Sequence, residues 1–158
     1  FDEEAHKGER GRVLVIGGGP YHGAPLLAGT AAARSGCDLV HVAMPRDALE
    51  RAEWPSHLIP ERLPDDERLA ERSPEFIGEL LDSRRVDAVV IGPGLGRHVE
   101  TDESVKEILA ILVEAETGTV LFQHNPHARR SPASTQKLLL LLVVDLEHFN
   151  GLVVMTNV

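Results

Sequence analysis

Two glycine clusters are the part of this chain whose residue types could do chemistry. The first is "GGGPYHGAP" at 17–25 and the second is "GPGLG" at 92–96. A glycine lets a ligand approach the backbone, and a chain entering a helix offers free N–H groups and the positive dipole end to an anion. Gly23 and Ala24 in the first cluster, with Gly94 and Gly96 in the second, are therefore candidate contacts for a flat ring or a phosphate. Tyr21 is the only tyrosine and lies inside the first loop. It can stack on a ring, hydrogen-bond a phosphate, or simply pack across the loop.

Spacing excludes two common phosphate loops. A dinucleotide loop G-x-G-x-x-G fits Gly17 and Gly19, but His22 stands where the third glycine belongs. The acid that should end the second strand is also missing, since that strand runs into Met44-Pro45 and Asp38 lies at its start. The other loop, G-x-x-x-x-G-K-[ST], fails because Gly-Lys-Ser/Thr occurs nowhere in the chain. A single glycine cluster would be explained by a tight strand-to-helix turn. Two at neighbouring strand ends point to a ligand.

The elements that must position these loops alternate. "RVLVIG" at 12–17 is a continuous β-branched run, the pattern of a strand buried on both faces. Ala24–Ser35 reads as a helix closed by Gly36, and Asp38–Ala43 as a second strand. A short helix over Arg46–Glu53 and a weak strand or loop at Ser56–Arg62 follow. Ser73–Ser83 is predicted helical, with Ser73 as N-cap and Pro74 in the first turn. Val86–Ile91 is a strand that feeds "GPGLG". Val105, Ile108, Leu109 and Leu112 recur at helical spacing within Glu103–Glu116, and Thr119–Phe122 reads as another strand. Such alternation predicts crossover units and a mainly parallel sheet covered by helices, with ligands beyond the carboxyl ends of the strands.

In this order the residues resemble a known family. The His6-Lys7-Gly8 opening, the Gly-Gly-x-x-Tyr-x-Gly-Ala-Pro loop, the Ala-rich helix ending in Arg34-Ser35-Gly36, and "GPGLG" together resemble the ADP/ATP-dependent NAD(P)H-hydrate dehydratases of the ribokinase-like superfamily, over about 5–121. The resemblance implies a single three-layer ribokinase-like α/β domain over 1–158, incomplete at its C-terminus. It also implies repair of hydrated NADH or NADPH. ADP or ATP, with Mg²⁺, phosphorylates the ring hydroxyl, and phosphate then leaves to restore the dihydropyridine. Carried over, the substrate contacts are Gly23, Ala24, Gly94, Gly96 and His127 of "NPH". The His6 and Lys7 side chains are read as structural.

The later part of the chain departs from the family pattern. No acid follows Val120-Leu121 in "VLFQHNPHARR", and the Gly-Thr-Gly-Asp that holds phosphate and supplies the base does not occur. Asp145 lies in an apolar context, but no Gly-Thr-Gly precedes it. No catalytic residue is assigned, and catalysis by this chain is expected to be weak or absent. A sugar or vitamin-precursor kinase of the same superfamily, and a non-catalytic nucleotide-binding homologue, remain open readings.

Bulk properties narrow the partners. The chain has 158 residues, 42% of them hydrophobic, enough for one domain with a proper core. Its net charge of −9 opposes nucleic acid and anionic membranes, leaving small-molecule nucleotides as the expected ligands. Only three of the 16 basic residues are lysine, which fits simple solubility or a halophilic source. The longest apolar run, "LLLLLVV" at 138–144, is too short to cross a bilayer and reads as a buried strand or helix. A lone Cys37 and the lack of a basic-then-apolar leader lead us to expect a cytoplasmic protein. His98, His124 and His148 lack partners at metal-ligand spacing, so no structural zinc is expected. A sheet cut after five or six strands would leave an apolar edge, which predicts a homo-oligomer.

Overall fold

The computed structural model describes residues 11–114 together with the strands at 138–146 and 149–157. Strand β1 (Arg12–Ile16) leads through the first glycine loop into helix α1 (Gly23–Arg34), then β2 (Leu39–Met44), α2 (Arg46–Arg51) and β3 (Ile59–Arg62). Helix α3 (Ser73–Arg84), β4 (Ala88–Ile91) and α4 (Val99–Glu114) follow, then β5 (Leu138–Leu146) and β6 (Phe149–Asn157). The strands form one sheet in the order β3-β2-β1-β4-β6-β5. β1 pairs in parallel with both β2 and β4, with Ile16 opposite Ala43 on one side and Ile91 on the other. β6 also runs parallel to β4, whereas β5 returns antiparallel on β6. "LLLLLVV" is therefore strand, and the sheet is mainly parallel as the alternation requires.

β1 explains why both faces of the sheet are covered. Leu14 and Ile16 point into a cluster with Ile77 and Leu80 of α3 and Ile108 and Leu112 of α4. Val13 and Val15 point the other way, into Val40, Val42 and Met44, with Ala28 and Ala32 of α1 and Ala48 of α2 behind them. Each fully buried side chain of this size stabilises the fold by about 1.5–3 kcal/mol relative to exposure. The apolar spacing expected in α4 holds, with Val105 and Leu109 packed against the same cluster.

Two helix starts differ from the sequence reading. Helix α4 starts earlier than expected, at Val99. Its first turn carries Glu100 and Asp102, whose charge suits a helix N-terminus. Ser73 is not the N-cap of α3. Arg72 holds that place without a side-chain bond, and the Ser73 hydroxyl instead donates to Asp65, which also accepts from the Ala70 amide at 3.2 Å. That carboxylate, eight residues upstream, competed for the hydroxyl and won. The expected strand at Thr119–Phe122 lies outside the described residues, as do His6 and Lys7.

Cys37 lies half-buried in the turn between α1 and β2. Burial, and then the neighbouring charge of Asp38, push its thiol above the usual range. A raised value leaves less thiolate at pH 8, so modification by a disulfide reagent should be several-fold slower than that of free cysteine. A rate equal to or above that of free cysteine would contradict this.

Candidate functional site

The two glycine loops close on each other. After β1, the Gly17 amide donates to the Ala43 carbonyl at 3.0 Å and the Gly18 amide to the Pro93 carbonyl at 2.8 Å. In return the Gly92 amide donates to the Ile16 carbonyl at 3.1 Å. Gly94 and Gly96 both have left-handed backbone, with φ of +73° and +75°. A Cβ on Gly94 would collide with the Tyr21 carbonyl oxygen, and one on Gly96 would lie 2.7 Å from Pro20 Cγ. Their glycine identity is thus explained by loop-to-loop packing rather than by the approach of a ligand.

Gly23 is different. It is the first residue of α1, exposed, and an added Cβ would meet nothing within 4 Å. Ala24 follows, half-buried, and Pro25 turns inward beneath them. His22 precedes the helix without a side-chain cap, and no acid occupies the first turn. The Gly23 and Ala24 amides, the first two of the helix, stand at the positive end of its dipole, an arrangement that favours an anion. Tyr21 does not pack across the loop, because it is 62% exposed, and it is its backbone carbonyl that lies where a Cβ on Gly94 would stand. Gly23, Ala24, Tyr21, Gly94 and Gly96 are brought together along the joined loops. His127 lies outside the described residues.

A second feature was not anticipated. A cavity of about 800 Å³ opens beside the joined loops, with Gly19, Pro20 and Leu95 forming one wall. Asp47, Glu50 and Arg51 of α2 face it from beyond β2, and Glu67 and Arg68 from beyond β3. Arg97 and His98, entering α4, complete the rim. Arg51 is held by its Nε on the Asp47 carbonyl at 3.0 Å and its Nη2 on the Gly19 carbonyl at 2.8 Å. Arg68 donates to Glu67 at 2.8 Å and to His98 Nε2 at 2.7 Å. Each of these charges looks like ordinary solvated surface in the sequence. Only the fold brings three separate loops to one hollow.

Comparison with known proteins decides the family. The model of the NAD(P)H-hydrate dehydratase family matches residues 13–131. The chain belongs to that family. Among curated relatives, a bifunctional NAD(P)H-hydrate repair enzyme of Hyperthermus butylicus is 40% identical over 119 residues, covering 75% of this chain and 22% of its own. An ATP-dependent (S)-NAD(P)H-hydrate dehydratase of Emericella nidulans is 37% identical over 115 residues, covering 68% of this chain and 31% of its own. This NAD(P)H-hydrate dehydratase homologue thus spans between a fifth and a third of the length of those relatives. Its fold is similar to a hypothetical protein from Streptococcus mutans, with a TM-score of 0.53 and 27% identity over 70% of this chain and 37% of that one. A ribokinase-like superfamily protein from Enterococcus faecalis V583 gives the same TM-score at 22% identity, covering 70% of this chain and 36% of its own. The ribokinase-like α/β fold is therefore shared.

Among the described residues no three His, Cys, Asp or Glu side chains converge to hold a metal ion. His98 comes within 3.6 Å of Glu100 alone among carboxylates. No step is assigned to Mg²⁺. No helix among the described residues is long and apolar enough to cross a membrane.

Proposed function

We propose that the chain binds the hydrated nicotinamide of NADHX or NADPHX at the start of α1, as part of a nucleotide-dependent dehydratase. The observation that carries this reading is Gly23. Glycine, having no side chain, leaves the backbone open to close approach by a ligand. Here neither a left-handed backbone nor a packed neighbour calls for it, since the space above is open. A ligand seated there supplies the reason. Ala24, beside it, keeps the same surface low, and the Gly23 and Ala24 amides at the helix start suit a phosphate or a polarised ring carbonyl. Tyr21, largely exposed at the edge, is placed to cover a ring.

In the proposed reaction ADP or ATP transfers a phosphoryl group to the ring hydroxyl. Loss of that phosphate, together with a ring proton, restores the dihydropyridine. The described residues bind and orient the substrate. The Gly-Thr-Gly-Asp expected to hold the nucleotide phosphate and supply the base does not occur in this sequence. Binding of the substrate is the role proposed for the described residues.

Thermal unfolding with hydrated NADPH tests the proposal. At a hundredfold excess over Kd, the ligand should add about 2.7 kcal/mol of stability and raise Tm measurably. Gly23→Val should fold, since nothing stands where its side chain enters, yet lose the shift. No shift in the parent chain, or an equal shift in the variant, would refute it.

A further inference from the structure

The loop that leads to Gly23 is held on two sides, and only one of them is the second glycine loop. On the other side stands α2. It has six residues, fewer than an isolated helix needs, so its position must come from its contacts. The Arg46 and Asp47 amides, which have no partner inside the helix, donate to the Asp65 and Asp66 carbonyls at 3.2 and 2.9 Å. Ala48 is fully buried against Gly18, where an added Cβ would lie 3.4 Å from the Ala48 methyl and 3.0 Å from Met44 Sδ. The helix is thus fixed at its first turn, and the loop lies flat against it.

Arg51, in the last turn, reaches from this anchored helix to the loop. Its Nε donates to the Asp47 carbonyl one turn back at 3.0 Å, which sets the plane of the guanidinium. Its Nη2 then donates to the Gly19 carbonyl at 2.8 Å. A charged donor makes a stronger bond than a neutral one. Gly19 is buried, and a buried carbonyl stripped of its partner is costly, so this bond is not readily traded for water. Gly23 lies only four residues further on, and Pro20, with its fixed φ, removes slack from the span between them. Where the Gly19 carbonyl is held therefore decides where α1 can begin.

We propose that Arg51 is a positioning residue: by holding the Gly19 carbonyl it fixes the start of α1, and with it the surface at Gly23 that receives the substrate. It acts on the loop and not on the ligand. The inference rests on the binding reading above, and two measurements separate them. Hydrogen exchange read by mass spectrometry, and calorimetric titration with hydrated NADPH, compare the full parent chain with Arg51→Met and Arg51→Lys. Methionine keeps the length without a donor, whereas lysine keeps the charge and one donor. In Arg51→Met the amides of 17–24 should exchange about tenfold faster or more, while those of β1 and β4 keep their parental rates. If the competent loop position falls to about a tenth of the population, Kd rises about tenfold, and Arg51→Lys should recover part of both losses. Unchanged exchange over 17–24, weaker binding without faster exchange, faster exchange spread through β1 and β4, or no recovery by lysine would overturn the proposal. A parent chain that fails to bind hydrated NADPH refutes the Gly23 reading alone, and the exchange comparison then decides whether Arg51 holds the loop.

Discussion

Gly94→Ala should be among the most damaging single substitutions outside the hydrophobic core. Two costs combine at that position. An L-residue held at φ +73° carries backbone strain of about 1–3 kcal/mol. The new methyl also enters the Tyr21 carbonyl, a backbone atom that cannot rotate away, and overpacking of that kind adds about 1–3 kcal/mol. Against a total of about 5–15 kcal/mol for an ordinary domain, the sum removes a large share of the stability. Urea unfolding should show a markedly lower midpoint with the slope unchanged. A loss below about 1 kcal/mol would mean that the loops part easily, contrary to the paired bonds at Gly18 and Gly92.

The same residues show what could be read in advance. "RVLVIG" and "VDAVVI" announce buried parallel strands because residues on both sides of each strand are apolar, and the structure buries Val13 and Leu14 on opposite faces. The glycine loops were legible as a pair at neighbouring strand ends. Their contact was not, since it depends on strand order: only with β4 beside β1 does Pro93 reach Gly18. The cavity lining was illegible for a related reason. Glu50, Arg68 and His98 belong to three connections, and nothing in their local spacing distinguishes them from solvated charge. The Ser73 cap failed because its partner, Asp65, competes from outside the helix.

Glu61→Ala is the second substitution expected to cost heavily. Glu61, on β3, is 8% exposed, and its Oε1 accepts from His41 Nδ1 on β2 at 2.8 Å and from Arg84 Nε at the end of α3 at 2.8 Å. One carboxylate thus ties the edge of the sheet to the helix above it. Removing it leaves the buried His41 nitrogen without an acceptor, a cost of about 1–3 kcal/mol. Arg84 is about half exposed and regains water, so its own loss is smaller. Its guanidinium, raised further by the Glu61 hydrogen bond and then by its charge, contributes stability fully present below its unfolded value and lost only at still higher pH. That contribution is constant across the usable range. Glu61→Gln keeps an acceptor for His41 and should recover most of the loss in the same urea titration. Equal destabilisation by alanine and glutamine would show that the charge, rather than the acceptor, matters.

The mutual closure of the two glycine loops bears on affinity as well as on folding. Ordering a loose loop at the moment of binding subtracts from the free energy that contacts provide. Here the Gly18 and Gly92 amides are already bonded across the gap. The ligand proposed at Gly23 would meet a preorganised rim and lose little to loop entropy. Modest contacts, a few backbone amides and a low glycine surface, can then suffice for tight binding.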